Sequence, residues 1–309
     1  MRTAFLETLC ERAEQDPGLW LLTGDLGFSV LEPFAERFPE RYVNVGVAEQ
    51  NMAGIAAGLA LAGNRVVIYS IVNFATLRCL EQIRNDIVYH RAPVMVVGVG
   101  GGYAYGAQGY THHGLEDLPV MASLPGMNVA APGDPAETRA VFNILLDRQA
   151  PAYLRLGKAG EPLVHAQTPA LRYGEPLSVR EGSAALILST GGLLSEAVTA
   201  ADRLAAKGCE VAVWSLPWIS PFPHDAIAAA AERFPLILTC EEGQGRGGLA
   251  GAAALACAGR PGSRAMLRSA AAPSDQIAPT MSQAAARARY RLDADGLVER
   301  IEEALAECG

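Results

Sequence analysis

The chain is poor in cysteine and has no long apolar run, and each scarcity excludes a class of protein. Its 309 residues include six cysteines, and none of them form a CxxC pair. Scattered cysteines in a chain of this size predict reduced thiols of a cytoplasmic protein, not a disulfide framework or a zinc site. The N-terminal segment carries charges throughout and lacks the apolar core of a signal peptide. The apolar stretch at residues 247–259 is too short and too rich in glycine and alanine to span a bilayer.

Positive charge is also scarce. Asp and Glu number 33 against 25 Lys and Arg, which gives a formal net charge of −8. This balance argues against a general grip on the phosphate backbone of nucleic acid, although it is compatible with a local basic pocket for one small phosphate. The chain is rich in hydrophobic residues, at 50% of the total, and can therefore bury substantial cores.

Apolar runs alternate with helical patterns along the first half of the chain. Runs at residues 19–23, 65–70 and 94–99 have the composition of buried strands, and helical patterns at 47–62 and 78–89 lie between them. Such alternation predicts an α/β fold with a parallel sheet covered by helices on both faces. In such folds, ligands bind at the loops that follow the carboxyl ends of the strands.

The alternation lapses in one segment rich in proline, glycine and polar residues, and then resumes. We therefore predict a first domain at residues 1–165, a linker at 166–182 and a second, smaller α/β domain at 183–309. Two domains of ordinary size fit a chain of this length.

Glu49 opens a helical pattern rich in small residues, directly after the apolar segment at residues 42–45. A first-turn glutamate is often no more than a favourable partner of the helix dipole, which contributes roughly 0.3–1 kcal/mol. The second interpretation is general acid–base chemistry, which requires a bound group that can use a carboxylate. The residues alone leave these two interpretations about evenly balanced.

Aromatic and histidine side chains follow two of the predicted strands. Phe74 comes after the run at 65–70, where a single phenylalanine is usually a core residue. His112 and His113 lie in the glycine-rich loop GAQGYTHHGLED at residues 106–117, and adjacent histidines in a loop indicate a binding surface. Metal binding by the pair is the weaker alternative because no spacing nominates further ligands. Hydrogen bonds to sugar hydroxyls or to phosphate fit better.

Two segments of the second half raise the question of phosphate binding. Arg155 ends a strand pattern in YLRLGK at residues 153–158; it is either a surface ion-pair partner or a bidentate phosphate ligand. Lys158 is a weaker candidate. GQGRGG at residues 243–248 matches the nucleotide pattern GxGxxG, but the glutamates at 241–242 would repel a diphosphate. A tight strand-to-helix turn or an interface is therefore favoured there.

Taken in order, these segments resemble the transketolase family. The resemblance covers almost the whole chain and rests on GDLG at 24–27, GVAEQ at 46–50, EQIRND at 81–86, the histidine loop, YLR at 153–155 and the glutamate pair. It implies a pyrimidine-binding domain followed by a transketolase C-terminal domain, and thiamine diphosphate as the cofactor.

The resemblance also implies roles for single residues. Glu49 activates the cofactor by bonding its aminopyrimidine nitrogen N1′, and Phe74 stacks on that ring. Ile71 stands where the family often has a second aromatic, and Asp25 lies in the opening loop of the domain. The cofactor contacts are thus Glu49, Phe74, Asp25 and Ile71. The implied substrate contacts are His112, which joins Glu49 as a catalytic residue, together with His113, Arg155 and Gln108.

One motif of the superfamily is missing. The chain has no GDG segment, which in that superfamily holds Mg²⁺ and the cofactor diphosphate together with a later asparagine. The resemblance therefore implies a separate N-terminal transketolase subunit that carries the diphosphate-binding domain, in an α2β2 assembly.

The expected activity is transfer of a two-carbon ketol unit from a ketose phosphate to an acceptor through thiamine diphosphate. One alternative keeps the cofactor and delivers a two-carbon or acyl unit to a lipoyl or acyl-carrier-protein thiol. Another alternative, of a different class, is a non-catalytic regulatory or scaffolding subunit. Retention of Glu49 and the histidine loop weighs against the last.

Overall fold

Strands and helices alternate along the chain, as the apolar patterns predict. A computed structural model describes residues 1–27, 30–258 and 265–308. The strands are β1 (Leu19–Thr23), β2 (Tyr42–Asn44), β3 (Arg65–Ile71), β4 (Val94–Val99), β5 (Asn128–Ala130), β6 (Ala152–Leu156), β7 (Leu177–Arg180), β8 (Ala185–Ser189), β9 (Val211–Ser215), β10 (Trp218–Ser220), β11 (Leu236–Gln244) and β12 (Met266–Ala272). The α-helices are α1 (Arg2–Gln15), α2 (Glu32–Arg37), α3 (Glu49–Leu61), α4 (Val72–Ala75), α5 (Leu80–Gln82), α6 (Asp117–Ala122), α7 (Pro135–Arg148), α8 (Leu194–Ala205), α9 (His224–Arg233), α10 (Leu249–Ala258), α11 (Gln283–Arg289) and α12 (Ala294–Cys308).

The first sheet has the strand order β10-β5-β6-β4-β3-β1-β2. Neighbouring strands in this sheet are parallel, except that β10 runs antiparallel to β5. Strands β4 and β6 are buried along their whole length, as expected for a sheet with helices on both faces. One core lies beneath α1 and α7, and a second lies on the opposite face beneath α3.

The register of this sheet determines where the predicted site residues meet. Thr23 pairs with Asn44 on one side and with Tyr69 on the other. The parallel strands therefore end along a common edge, from which the segments carrying Asp25, Glu49 and Phe74 leave the sheet. Arg155 reaches the same edge from β6, opposite Gly98 of β4.

The second sheet has the order β12-β11-β8-β9-β7, parallel except for β7. Strand β7 comes from residues that the sequence pattern assigned to the linker. Strand β10, in contrast, follows β9 along the chain but joins the edge of the first sheet. A strand from the predicted linker therefore belongs to the second sheet, and a strand from within the predicted second domain belongs to the first sheet.

The segment around His165 connects the two sheets without regular secondary structure and is fastened to the first turn of α7. Asp134 caps that helix by accepting a hydrogen bond from the N–H of Glu137 at 2.7 Å. The other carboxylate oxygen of Asp134 accepts the N–H groups of Val164 and His165 at 2.9 and 2.8 Å, and the Nδ1 of His165 lies 3.1 Å from it. One buried carboxylate therefore holds both a helix end and a connecting segment.

No helix in the described parts of the chain has the length and apolar character needed to cross a membrane.

Candidate active site

Glu49 lies at the start of α3, and its side chain is almost completely buried, with 1% of its surface exposed. Gly46 precedes it with a φ of 75°, a conformation suited to glycine, and turns the chain from β2 into the helix. The Nη1 of Arg78 donates to Oε2 of Glu49 at 2.7 Å, and the hydroxyl of Ser70 donates to Oε1 at 3.3 Å. A Cβ placed on Gly24 would lie 3.4 Å from the same carboxylate.

Phe74 lies on α4, directly after β3, and its ring contacts Arg78, the partner of Glu49. The guanidinium carbon of Arg78 is 4.1 Å from the centre of the Phe74 ring. The ring of His112 meets Phe74 edge-on with a centroid distance of 5.3 Å. Glu49, Arg78, Phe74 and His112 therefore form one continuous group. The structure places three sequence-predicted residues in it and adds Arg78.

The histidine loop is fastened to α4 through the side chain of Asn73. Its amide nitrogen donates to the carbonyls of Thr111 at 3.0 Å and His113 at 2.9 Å. His112 is partly exposed, and the hydroxyl of Thr111 lies 2.9 Å from its Nδ1. These contacts place the His112 ring on the open side of the loop, next to Phe74.

His113 faces the protein interior. Its side chain has no exposed surface, and its Nε2 lies 3.2 Å from the carbonyl oxygen of Gly106 and donates to it. Tyr103 packs against the imidazole edge-on at 5.4 Å. The two adjacent histidines thus lie in different environments, one open and one buried.

Arg155 is buried and bonds backbone groups of both halves of the chain. Its Nη2 donates to the carbonyls of Gly114 at 2.5 Å and Glu242 at 2.7 Å, and its Nε lies 3.4 Å from the carboxylate of Asp117. Asp117 also accepts the hydroxyl of Tyr153 at 2.6 Å. A side chain on Gly101 would collide with Arg155. The absence of a side chain at this glycine therefore leaves room for the guanidinium of Arg155.

The remaining predicted residues lie around this group. Asp25 is exposed at the end of β1 with a φ of 58°; its N–H donates to the Oδ1 of Asn44 at 3.0 Å, and the amide of Asn44 donates back at 3.1 Å. Ile71 ends β3 and is partly buried. Gln108 is exposed in the histidine loop, and Lys158 is exposed with its Nζ 5.6 Å from the Tyr105 ring.

The two glutamates before the glycine-rich turn hold structure together. Glu241 is buried and accepts the N–H groups of Leu249 and Ala250 at 2.9 and 2.8 Å, at the start of α10. Burial raises the pKa of Glu241 to about 7, although these two N–H groups lower it. The sequence pattern favoured a tight strand-to-helix turn over a nucleotide site at residues 243–248. The bonds from Glu241 to the start of α10 accord with that prediction.

Glu242 joins the two halves of the molecule. Its carboxylate accepts the backbone N–H of Tyr103 at 2.8 Å and the amide of Gln283 at 2.9 Å. The Nε and Nη2 of Arg287 donate to its Oε2 at 3.0 and 2.7 Å. These contacts tie the loop after β4 to helix α11 around a cavity of about 140 Å³, which Arg155 also lines.

Sequence reasoning missed Arg78 and Asn73. A buried carboxylate requires a cation or hydrogen-bond donors, so a partner for Glu49 could be expected. The sequence gives no spacing that selects Arg78 among 25 basic residues. Asn73 likewise acts on loop carbonyls that are distant in sequence, so no local pattern reveals it.

The group of Glu49 and Phe74 has the chemistry of a site for a flat nitrogen heterocycle. A carboxylate with 1% exposure can bond a ring nitrogen, and the adjacent phenyl face can stack on the ring. The flat guanidinium of Arg78 makes both kinds of contact in the structure. Among residues 1–27, 30–258 and 265–308, no cluster of three or more histidine, cysteine or acidic side chains could hold a metal ion.

Family models match both halves of the chain. The model described as "Transketolase, pyrimidine binding domain" matches residues 1–160. The model described as "Transketolase, C-terminal domain" matches residues 174–296.

Several curated proteins are similar over most of the chain. One of the subunits of the apulose-4-phosphate transketolase of Phocaeicola vulgatus is 37% identical over 250 residues, which are 80% of this chain and 80% of that protein. The 6-deoxy-6-sulfo-D-fructose transketolase subunit SqwH of a Clostridium species is 34% identical over 260 residues, 84% of this chain and 80% of the relative.

Solved structures show the same architecture. A split gene transketolase, described as an inactive beta4 tetramer, superposes with a TM-score of 0.87 at 30% identity and covers 99% of this chain and 97% of that chain. The transketolase from Leishmania mexicana superposes with a TM-score of 0.81 at 21% identity, and the match covers 45% of that longer chain. The second similarity shows the fold alone.

Proposed function

Since the chain belongs to the transketolase family, we propose that it is the C-terminal subunit of a two-component transketolase that transfers a two-carbon ketol unit from a ketose phosphate to an acceptor. The observation that carries this proposal is the share of each solved transketolase chain that this chain matches. The chain contains the two C-terminal domains of the family and spans 97% of a split-gene subunit, but only 45% of a single-chain transketolase. The buried carboxylate of Glu49, which Arg78 links to Phe74, supports a catalytic role for this chain.

The family depends on thiamine diphosphate, which when bound supplies the electron sink for two-carbon transfer. Glu49 would bond the ring nitrogen N1′, and its burial would keep water away from that bond. Phe74 would stack on the ring, with Ile71 beside it at the end of β3. Asp25, held by Asn44 next to the start of α3, would fix the edge of this cofactor site.

The histidine loop would provide the substrate contacts. His112 is partly exposed next to Phe74 and would bond substrate hydroxyls, with Gln108 as a further exposed donor in the same loop. His113 and Arg155 are buried and bond carbonyls of this loop. We propose that they support substrate binding by fixing the loop that presents His112.

A partner subunit would complete the site. The chain has no GDG segment, and its described residues contain no metal cluster. Mg²⁺ and the diphosphate would therefore be held by an N-terminal transketolase subunit, in an α2β2 assembly with the cofactor between unlike chains. The split-gene structure is described as an inactive beta4 tetramer, which supports the need for an unlike partner.

The relatives do not favour the alternatives. Both similar subunits carry transketolase names with sugar substrates, whereas delivery to a lipoyl or carrier-protein thiol has no such support. Retention of Glu49 together with the histidine loop weighs against a non-catalytic scaffold. The two relatives are named for different sugars, apulose 4-phosphate and 6-deoxy-6-sulfo-D-fructose.

The test is two-carbon transfer from a ketose phosphate with thiamine diphosphate and Mg²⁺. It is run on this chain alone, on a partner subunit with a GDG segment alone, and on the mixture. The proposal predicts sugar product only in the mixture. Product from this chain alone would refute the shared site. Transfer to a lipoylated or pantetheinylated carrier, without sugar product, would refute the acceptor class.

A further inference from the structure

Arg78 lies across the two groups that the cofactor ring is expected to use. Its Nη1 donates to Oε2 of Glu49 at 2.7 Å, and its guanidinium carbon is 4.1 Å from the centre of the Phe74 ring. Glu49 is 1% exposed, whereas the Arg78 side chain is 41% exposed. A buried anion is therefore bonded by a cation that reaches it from the solvent side.

The guanidinium group and an aminopyrimidine have similar requirements. Both are flat, both stack on an aromatic face, and both present N–H groups in the plane to a carboxylate. Arg78 donates to Oε2 of Glu49, whereas Ser70 donates to the other carboxylate oxygen at the longer distance of 3.3 Å. Because the Arg78 guanidinium already bonds Oε2 and lies over the Phe74 ring, a second flat group cannot take the same position between them.

We propose that Arg78 occupies the place of the cofactor ring in the cofactor-free chain and is displaced when thiamine diphosphate binds. This inference rests on the proposed function. Arg78 keeps the buried carboxylate of Glu49 paired and the Phe74 face covered until the partner subunit brings the cofactor. Its exposure gives it room to move, because a side chain that is 41% exposed can turn to solvent without disrupting a core.

The displacement has a consequence for cofactor affinity. When the binding-competent state is only a fraction of the population, the apparent affinity falls by that fraction. Without the contacts of Arg78, every molecule is in the state in which Glu49 and Phe74 are accessible to the cofactor ring. Glu49, Ser70 and Phe74 remain in place. A partly exposed ion pair and one cation–π contact together correspond to an affinity gain of about tenfold.

The experiment measures thiamine diphosphate binding by calorimetry in the complex with the partner subunit, for wild type, Arg78→Gln and Arg84→Gln. Arg84 is the matched control: it is an exposed arginine in the helical segment Ile83–Val88, and its side chain donates to the neighbouring Asn85 at 2.8 Å. Arg78→Gln is expected to lower the dissociation constant about tenfold, and Arg84→Gln to leave it unchanged. Thermal unfolding of each variant checks that the fold is intact.

An unchanged or larger dissociation constant for Arg78→Gln would overturn the inference and would make Arg78 a neutral neighbour or a direct cofactor contact. Crystal structures of the complex with and without cofactor provide the second measurement. The inference predicts that the Arg78–Glu49 bond is present only without cofactor, and its persistence with cofactor bound would refute displacement. No binding by any variant would refute the proposed function itself, a result distinct from unchanged affinity.

Discussion

At the scale of single residues, the environment of Glu49 favours the catalytic interpretation, which stays a prediction. A glutamate that only complements a helix start bonds N–H groups of the first turn, as Glu241 does at α10, or lies exposed beside them. Glu49 is buried and bonded by two side chains from different elements. The sequence predicted the position of this carboxylate because the motif around it is local. It could not predict Arg78 as the partner, because that pairing depends on how the turn Leu77–Cys79 after α4 packs against α3.

Glu49→Gln is expected to lower two-carbon transfer by about 10²–10⁴-fold in the assembled enzyme, because an amide cannot exchange the proton that a carboxyl group can. Glu36→Gln, at an exposed position of α2, is the control and should retain full activity. The measurement is kcat at saturating cofactor. Full activity of Glu49→Gln would remove this residue from the chemistry.

The adjacent histidines should respond differently to the same substitution. His112→Asn is expected to lower kcat/KM by about 10–100-fold and to leave stability unchanged, because its ring is partly exposed at the proposed site. His113→Asn is expected to lower the free energy of unfolding by about 1–3 kcal/mol, because its buried ring bonds Gly106 and packs on Tyr103. Denaturant unfolding and steady-state kinetics on both variants separate the two roles. Equal stability losses would contradict the placement of His112.

At the scale of elements, Asp134 at the start of α7 bonds Val164 and His165, and we call this set of contacts the Asp134 clasp. The Asp134 clasp makes the free energy of unfolding depend on pH. Burial alone would raise the pKa of Asp134, but the hydrogen bond from His165 and three backbone N–H groups lower it to about 2. The hydrogen bond to Asp134 raises the pKa of His165, aided by the nearby carboxylate of Glu137, whose own pKa is raised by burial. The sequence showed only an irregular segment here, because the clasp joins residues that are far apart in the chain.

His165→Gln is expected to lower the free energy of unfolding by about 1–2 kcal/mol near pH 5–6. The raised pKa of His165 means that its stabilisation is complete below its unfolded pKa, about 6.5, and is lost as pH rises through the folded value. The lowered pKa of Asp134 means that its share is present above about 4 and is lost as pH falls towards 2. The difference in the free energy of unfolding between wild type and His165→Gln should therefore be largest between about pH 4 and about pH 6.5. His90→Gln, at an exposed histidine, should show no such window; a flat difference across pH would contradict the clasp.

At the scale of the whole molecule, the two halves are connected in ways that local patterns do not reveal. The alternation of strands and helices predicted both α/β units, because that signal is local and repeated. It did not predict that β10 crosses back to the first sheet, nor that β7 joins the second, because edge pairing is decided by tertiary contacts. The junction at Glu242 depends on the same assembly, since its partners come from the loop after β4 and from α11.

Arg287→Ala is expected to lower the free energy of unfolding by about 3 kcal/mol, because it leaves the carboxylate of Glu242 buried without its cation. Arg289→Ala is the matched control on the same helix, since Arg289 is exposed, and should change stability by less than about 0.5 kcal/mol. Chemical denaturation monitored separately in the two halves provides the measurement. An equal, small effect of both substitutions would show that the junction contributes little.

The measurement that most directly tests the central claim is thiamine diphosphate binding, in the presence of Mg²⁺, to this chain alone, to the partner subunit alone and to their mixture. A site shared between unlike chains predicts tight binding only in the mixture, with one cofactor for each pair of unlike chains. Tight binding of the same stoichiometry to this chain alone would contradict the account, because the cofactor would then need no partner to hold its diphosphate.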